Sequence, residues 1–134
     1  MLDATLAHLH RVNPALNAVC LLDEPLGRRM AAESAERWRR GAPLGPLDGV
    51  PVAVKDTAHV AGWPTRIGSH ATAAAPSAED TPGVARLREA GAVFFCKTTT
   101  PEFGWKGIAD SPLTGITRNP WDTSRTPGGS SGGS

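Results

Sequence analysis

Apolar residues recur at helical spacing from the start of the chain: Leu2, Leu6, Leu9 and Val12 share one face. The pattern predicts a helix over 2–12, stopped by Pro14, which lacks an N–H and whose ring obstructs the preceding turn. Asn17 to Leu22 reads as a short strand or extended piece. A second helix is predicted from about Pro25 to Arg40, with the proline at its first turn and Gly41 just past its end. Its apolar stripe is Met30, Ala31, Ala35 and Trp38, and Glu33–Arg37 and Glu36–Arg40 pair one turn apart on the wet side.

After a Pro/Gly loop from Gly41 to Asp48, Val50 to Val54 reads as a strand, with Pro51 near its start where a missing donor is tolerated. Alternation puts Val50, Val52 and Val54 on one face and Ala53 and Lys55 on the other. A polar, small-residue segment runs to about Ala78. Thr81 is the expected cap of a helix that opens with Pro82, packs Val84 and Leu87 inward and ends at Gly91. Ala92 to Cys96 is a continuous apolar run, the pattern of a strand buried on both faces. Strand, helix and buried strand form a crossover with parallel pairing, which places the chain in the α/β class. Beyond Lys97 the chain reads as irregular, with one helical turn near Pro101 to Trp105.

Composition narrows the function classes. At 134 residues the chain fits one domain. A formal charge of +1 offers no field for a polyanion or a lipid surface, so neither nucleic acid nor membrane is an expected partner. The arginines Arg28, Arg29, Arg37, Arg39 and Arg40 are interleaved with glutamates and read as a solvated helix face. No apolar run approaches the roughly 20 residues of a membrane span. Nothing at the start resembles an export signal, and Cys20 and Cys96 form no C-x-x-C pair; a cytoplasmic setting is expected. No metal is expected, because His8 and His10 face different ways and His59 and His70 have no cluster around them. Cys96, in its apolar run, reads as an inert thiol. No cofactor is expected either: the glycine run has no G-K-[ST].

Two places carry candidate chemistry. Gly128 to Ser134 contains only glycine and serine, which alone would read as a flexible linker. Lys55 ends a strand, which alone would read as a lysine with its ammonium in water. The lead-in Asn119-Pro120-Trp121-Asp122 is more rigid than a linker requires.

Taken together, G-V-P-V-A-V-K-D at 49–56, A-G-A-V-F-F-C-K-T at 90–98, P-E-F-G at 101–104 and R-N-P-W-D-T-S-R-T-P-G-G-S-S-G-G-S at 118–134 closely resemble the amidase signature family. The similarity reaches back through Arg11 to Ala18 and so covers nearly the whole chain. The resemblance implies part of a mixed, largely parallel sheet flanked by helices, in a single partial domain over 1–134 whose segment 118–134 is irregular. It implies hydrolysis of a small-molecule carboxamide through an acyl-enzyme, using a Ser–Ser–Lys triad. Lys55 is then the triad lysine and Ser130 the bridging serine, which family members hold by a cis peptide bond. Glycines around Ser130 allow close main-chain approach. Gly129 and Ser131 are expected to support the triad, Ser131 by hydrogen bonding, and Gly104 and Trp105 to line the acyl pocket.

The chain departs from the family pattern at Thr57, where asparagine often follows K-D, and at Thr99-Thr100, where K-T-N is usual. The lead-in to Phe103 also differs from the D-E-F-A-M-G typical of the A component of glutamyl-tRNA amidotransferase, which disfavours that branch. In the family the acylated serine and the oxyanion-hole N–H groups follow the glycine–serine run. The expectation is therefore a piece of a longer amidase, inactive alone; the alternatives are a non-catalytic remnant or partner-dependent subunit, or a piece of a protein like that amidotransferase component.

Overall fold

The computed structural model describes residues 1–134, in which helices α1 (Leu2–Leu16), α2 (Glu24–Arg39) and α3 (Pro82–Glu89) flank a three-stranded sheet. The strands are β1 (Val19–Leu22), β2 (Pro51–Lys55) and β3 (Val93–Thr98), in the order β1-β3-β2. The central strand β3 pairs parallel to β2 and antiparallel to β1, so the sheet is mixed and the α/β class holds. A 3-10 turn at Glu102–Gly104 and a hairpin of β4 (Asp110–Ser111) and β5 (Gly115–Ile116) follow. The pattern of the sequence predicts the turn near Pro101 but not the hairpin.

The first helix runs past Pro14 to Leu16. The proline removes one hydrogen bond near the end, where little helix remains to lose. Asn17 ends it instead, in the left-handed region at φ 50°, its N–H donating to the Asn13 carbonyl at 2.7 Å. The Asn13 side chain then accepts from the N–H groups of Ala18 and Val19 at 2.8 and 2.9 Å, steering the chain into β1.

The inward face of α2 differs from the expected stripe. Gly27 and Ser34 are buried and Met30 and Ala31 partly so, while Ala35 is exposed and Trp38 is 54 % exposed. Gly27 explains the difference, since a Cβ there would stand 2.8 Å from that of Phe95. The helix lies too close to the sheet for a larger residue. Asp23 caps it by accepting the Leu26 N–H at 3.0 Å. Glu36–Arg40 forms as expected, but Arg37 turns from Glu33 to chelate Asp48 at 2.8 and 2.7 Å. At the other helix, Thr81 stands at the N-cap of α3 but its hydroxyl does not cap; it donates to the His59 carbonyl at 3.4 Å.

All six residues of β3 are buried. One face of the sheet packs Val54, Val60, Trp63, Val84, Ala92 and Phe94; the other packs Leu2, Leu6, Val93, Phe95 and Cys96. A bulge shifts the β2–β3 register: Val52 pairs with Phe94, Ala53 with Cys96, Val54 with Lys97 and Lys55 with Thr98. Lys55 and Thr98 thereby share one face, and Val54 and Lys97 the other.

Candidate active site

Lys55 is the last residue of β2, and the residue after it locks the strand end in place. Asp56 donates its N–H to the Thr98 carbonyl at 3.1 Å, while its buried carboxylate accepts the Arg66 N–H at 3.3 Å and the Lys97 ammonium at 3.1 Å. Lys97 is fully buried, and its three protons are matched by Asp56, the Pro64 carbonyl at 2.8 Å and the Thr65 hydroxyl at 2.7 Å. Burial lowers the Lys97 pKa, and Asp56 works against that shift. This ion pair ties the end of β3 to the loop after β2.

From that fixed base the Lys55 side chain reaches across the sheet face, and its Nζ donates to the Ser130 hydroxyl at 2.9 Å. The two residues are 75 positions apart. The Gly129–Ser130 peptide bond is cis. Behind it, a Cβ on Gly129 would come within 2.7 Å of the Lys106 carbonyl oxygen. Further along, one on Gly132 would stand 2.0 Å from Ala109 Cβ, and one on Gly133 would stand 2.2 Å from the Ala18 carbonyl oxygen. Backbone lies directly against backbone there, which only glycine permits. The Gly133 N–H adds a bond to the Thr99 carbonyl at 3.3 Å, and the Thr100 hydroxyl donates to the Ser130 carbonyl at 3.2 Å.

The run is therefore not a loose linker. Its lead-in is a self-bonded turn: the Asn119 and Asp122 side chains accept the N–H groups of Trp121 and Ser124 at 2.9 and 3.0 Å.

Gly104, at φ 67°, packs beside Thr57 and Thr100, one residue removed from Ser130. Trp105 is 82 % exposed and packs against no core. Ser131 is exposed and only its carbonyl is engaged, accepting the Ser134 N–H at 3.0 Å; its hydroxyl forms no bond to Lys55 or Ser130. The Ser131 hydroxyl is thus open to solvent within residues 1–134. The residues beside Lys55 and Ser130 that sequence reasoning misses are Asp56, Lys97 and Thr100. The K-D and K-T dipeptides hold a signal for the first two only as a pair, since opposite charges that close two neighbouring strands can meet, as Lys97 and Asp56 do.

Burial pushes the Cys96 thiol up to about 12, which leaves it protonated near neutrality. The Lys55–Ser130 pair is thus the one linked lysine–hydroxyl couple facing the glycine–serine segment.

The Amidase family matches residues 1–134. The chain belongs to the amidase family. Among curated relatives of this amidase chain, the indoleacetamide hydrolase of Bradyrhizobium diazoefficiens is 42 % identical over 132 residues, 98 % of this chain and 25 % of that protein. The A component of the glutamyl-tRNA(Gln) amidotransferase of Carboxydothermus hydrogenoformans is also 42 % identical, over 131 residues, 98 % of this chain and 27 % of that protein. Identity alone does not separate the two branches. A solved amidase crystal structure superposes with a TM-score of 0.90 at 42 % identity, over 98 % of this chain and 30 % of that one. The chain thus spans about a quarter of the length of the curated relatives it matches.

Proposed function

We propose that this chain carries the lysine–serine half of a Ser–Ser–Lys relay that hydrolyses the C–N bond of small carboxamides through an acyl-enzyme. The observation that carries the reading is the 2.9 Å bond between Lys55 Nζ and Ser130 Oγ. In the reaction Lys55 takes the Ser130 hydroxyl proton as Ser130 takes one from the attacking serine, so the direction of the Lys55–Ser130 bond reverses in that step. The proton returns along the same path to the leaving amine. Lys55 is the base and Ser130 the relay. Gly129 lets the relay lie close against residues 106–108. Gly104 and Trp105 flank the acyl side.

In the family's order the attacking serine and its oxyanion donors follow the glycine–serine run, so we place them after Ser134. Those groups supply the largest share of acyl-transfer catalysis. We place the protein in the cytoplasm, where thiols such as Cys20 and Cys96, both free here, stay reduced. No helix is long and apolar enough to cross a membrane.

The test uses a fluorophosphonate probe and a panel of simple amides. Residues 1–134 alone should show neither labelling nor turnover, and the chain extended through its downstream codons should show both. Stoichiometric labelling of residues 1–134 would overturn the assignment of the nucleophile. Inactivity of the extended chain both alone and with a partner polypeptide would overturn the hydrolase reading. The similarity to a component of an amidotransferase favours a second reading, in which turnover needs another polypeptide. Under that reading the extended chain hydrolyses amides only when the partner is added.

A further inference from the structure

Three consecutive threonines leave the buried end of the central strand, and all three are almost fully buried: Thr98, Thr99 and Thr100. Their hydroxyls have different fates. Thr99 shares a hydrogen bond with the Thr117 hydroxyl at 2.7 Å and so ties the strand exit to the chain after β5. Thr98, opposite Lys55 in the ladder, has no hydrogen-bond partner for its hydroxyl. Thr100 donates to the Ser130 carbonyl at 3.2 Å, with the neighbouring Pro101 carbonyl at the same distance.

Thr100 has little freedom to do anything else. A Cβ on Gly68 would stand 2.7 Å from the Thr100 carbonyl oxygen, and one on Gly104 would stand 3.7 Å from its hydroxyl. The chain at Gly68 is therefore packed directly against the Thr100 main chain. The bond is made to the main chain of Ser130, the residue whose hydroxyl meets Lys55. A backbone held at its carbonyl has a restricted side-chain direction, because the carbonyl and Cβ leave the same Cα.

We propose that Thr100 is the positioning residue for Ser130: its hydroxyl anchors the Ser130 carbonyl and thereby aims the Ser130 hydroxyl at Lys55. The proposal rests on the reading of Lys55 and Ser130 as a relay, but its geometry can be tested without turnover. Thr98 is the internal control, a neighbouring threonine of the same burial that anchors nothing.

The experiment follows the Lys55 Nζ protons by NMR in the 134-residue chain labelled with 15N-lysine, with exchange against water as the readout. Thr100→Val should speed exchange of the Lys55 protons about fivefold, the equivalent of one ordinary hydrogen bond. Thr100→Ser should restore the parent rate. Thr98→Val should leave that rate unchanged and raise the melting temperature, because it removes a buried hydroxyl that has no partner. Near-UV circular dichroism of the buried Trp63 reports whether each variant is folded. If the valine substitution disturbs that signal, Thr100→Ala takes its place under the same criterion.

An unchanged Lys55 rate in the folded Thr100 variant overturns the proposal, and so does an equal response to Thr98→Val. A Lys55 rate that is the same in Ser130→Ala as in the parent chain would instead overturn the relay reading itself, because the bond between the two would then not exist.

Discussion

The central strand and the glycine–serine segment lie against each other and are held by opposite means. In β3 every side chain is buried, and position is set by what each one fills: Phe94 and Val93 on the two faces, Lys97 in a matched polar niche. In 128–134 there is almost no side chain, and position is set by how closely the backbone can approach its neighbours. A strand of this kind tolerates exchange of similar volumes. A segment that depends on missing atoms tolerates no addition at Gly129, Gly132 or Gly133, where a Cβ would collide with its neighbours. The half of the site that is easiest to mistake for a linker is therefore the half least free to change.

The most severe way to break the strand is Phe94→Ala. The ring is fully buried and the Arg88 guanidinium lies 4.8 Å above its centre, so the loss should be about 3–5 kcal/mol in a denaturant titration. A drop under about 1 kcal/mol would show that β3 is not the core element described. On the other side of the comparison, Gly132→Ala adds one methyl group where Ala109 already stands. It should cost about 1–3 kcal/mol locally. Amide exchange would show this as lost protection at Gly133, bonded to Thr99, while β3 stays protected. Equal loss in both regions would mean that the two are one cooperative unit.

The smallest effect is expected from acid, and it falls on neither region. Arg37 holds the Asp48 carboxylate well below the usual aspartate range. A carboxylate lowered on folding adds stability above its unfolded value, near 3.9, and loses that stability as pH falls toward its folded value. Arg37→Gln should make the stability curve shallower below about pH 4, leaving the part that the Leu44 N–H and Ser34 bonds to Asp48 supply. A curve that keeps its slope would place the acid sensitivity elsewhere.

What is legible in the sequence follows from side-chain periodicity and from motif. The run Ala92 to Cys96 marks the core strand, and motif order matches the lysine at 55 to the serine at 130 across 75 positions. The limits are equally physical. A charged residue looks like the end of a buried strand, so the apolar pattern excludes Lys97 and Thr98 from it; three hydrogen-bond partners from a distant loop make the lysine's burial possible. Trp63 sits in a polar, small-residue stretch with no periodicity, yet it is buried and donates its indole N–H to Asp23 at 2.9 Å. Arg37 fits a local pair with Glu33 by spacing, but a loop aspartate offers both oxygens and wins. In each case the deciding partner lies far along the chain or outside any repeat.

The irregularity in the β2–β3 ladder has an electrostatic consequence. Had the strands paired without the extra residue between Phe94 and Cys96, Lys97 would have stood opposite Lys55 instead of Val54. Two ammonium groups would then have been neighbours on one face of the ladder, repelling each other where a single cation already has few partners. One inserted residue sorts the pair: one lysine goes to a carboxylate on the far side, the other stays alone with a hydroxyl. Shortening that strand by one residue would bring like charges together at the most sensitive point in the molecule.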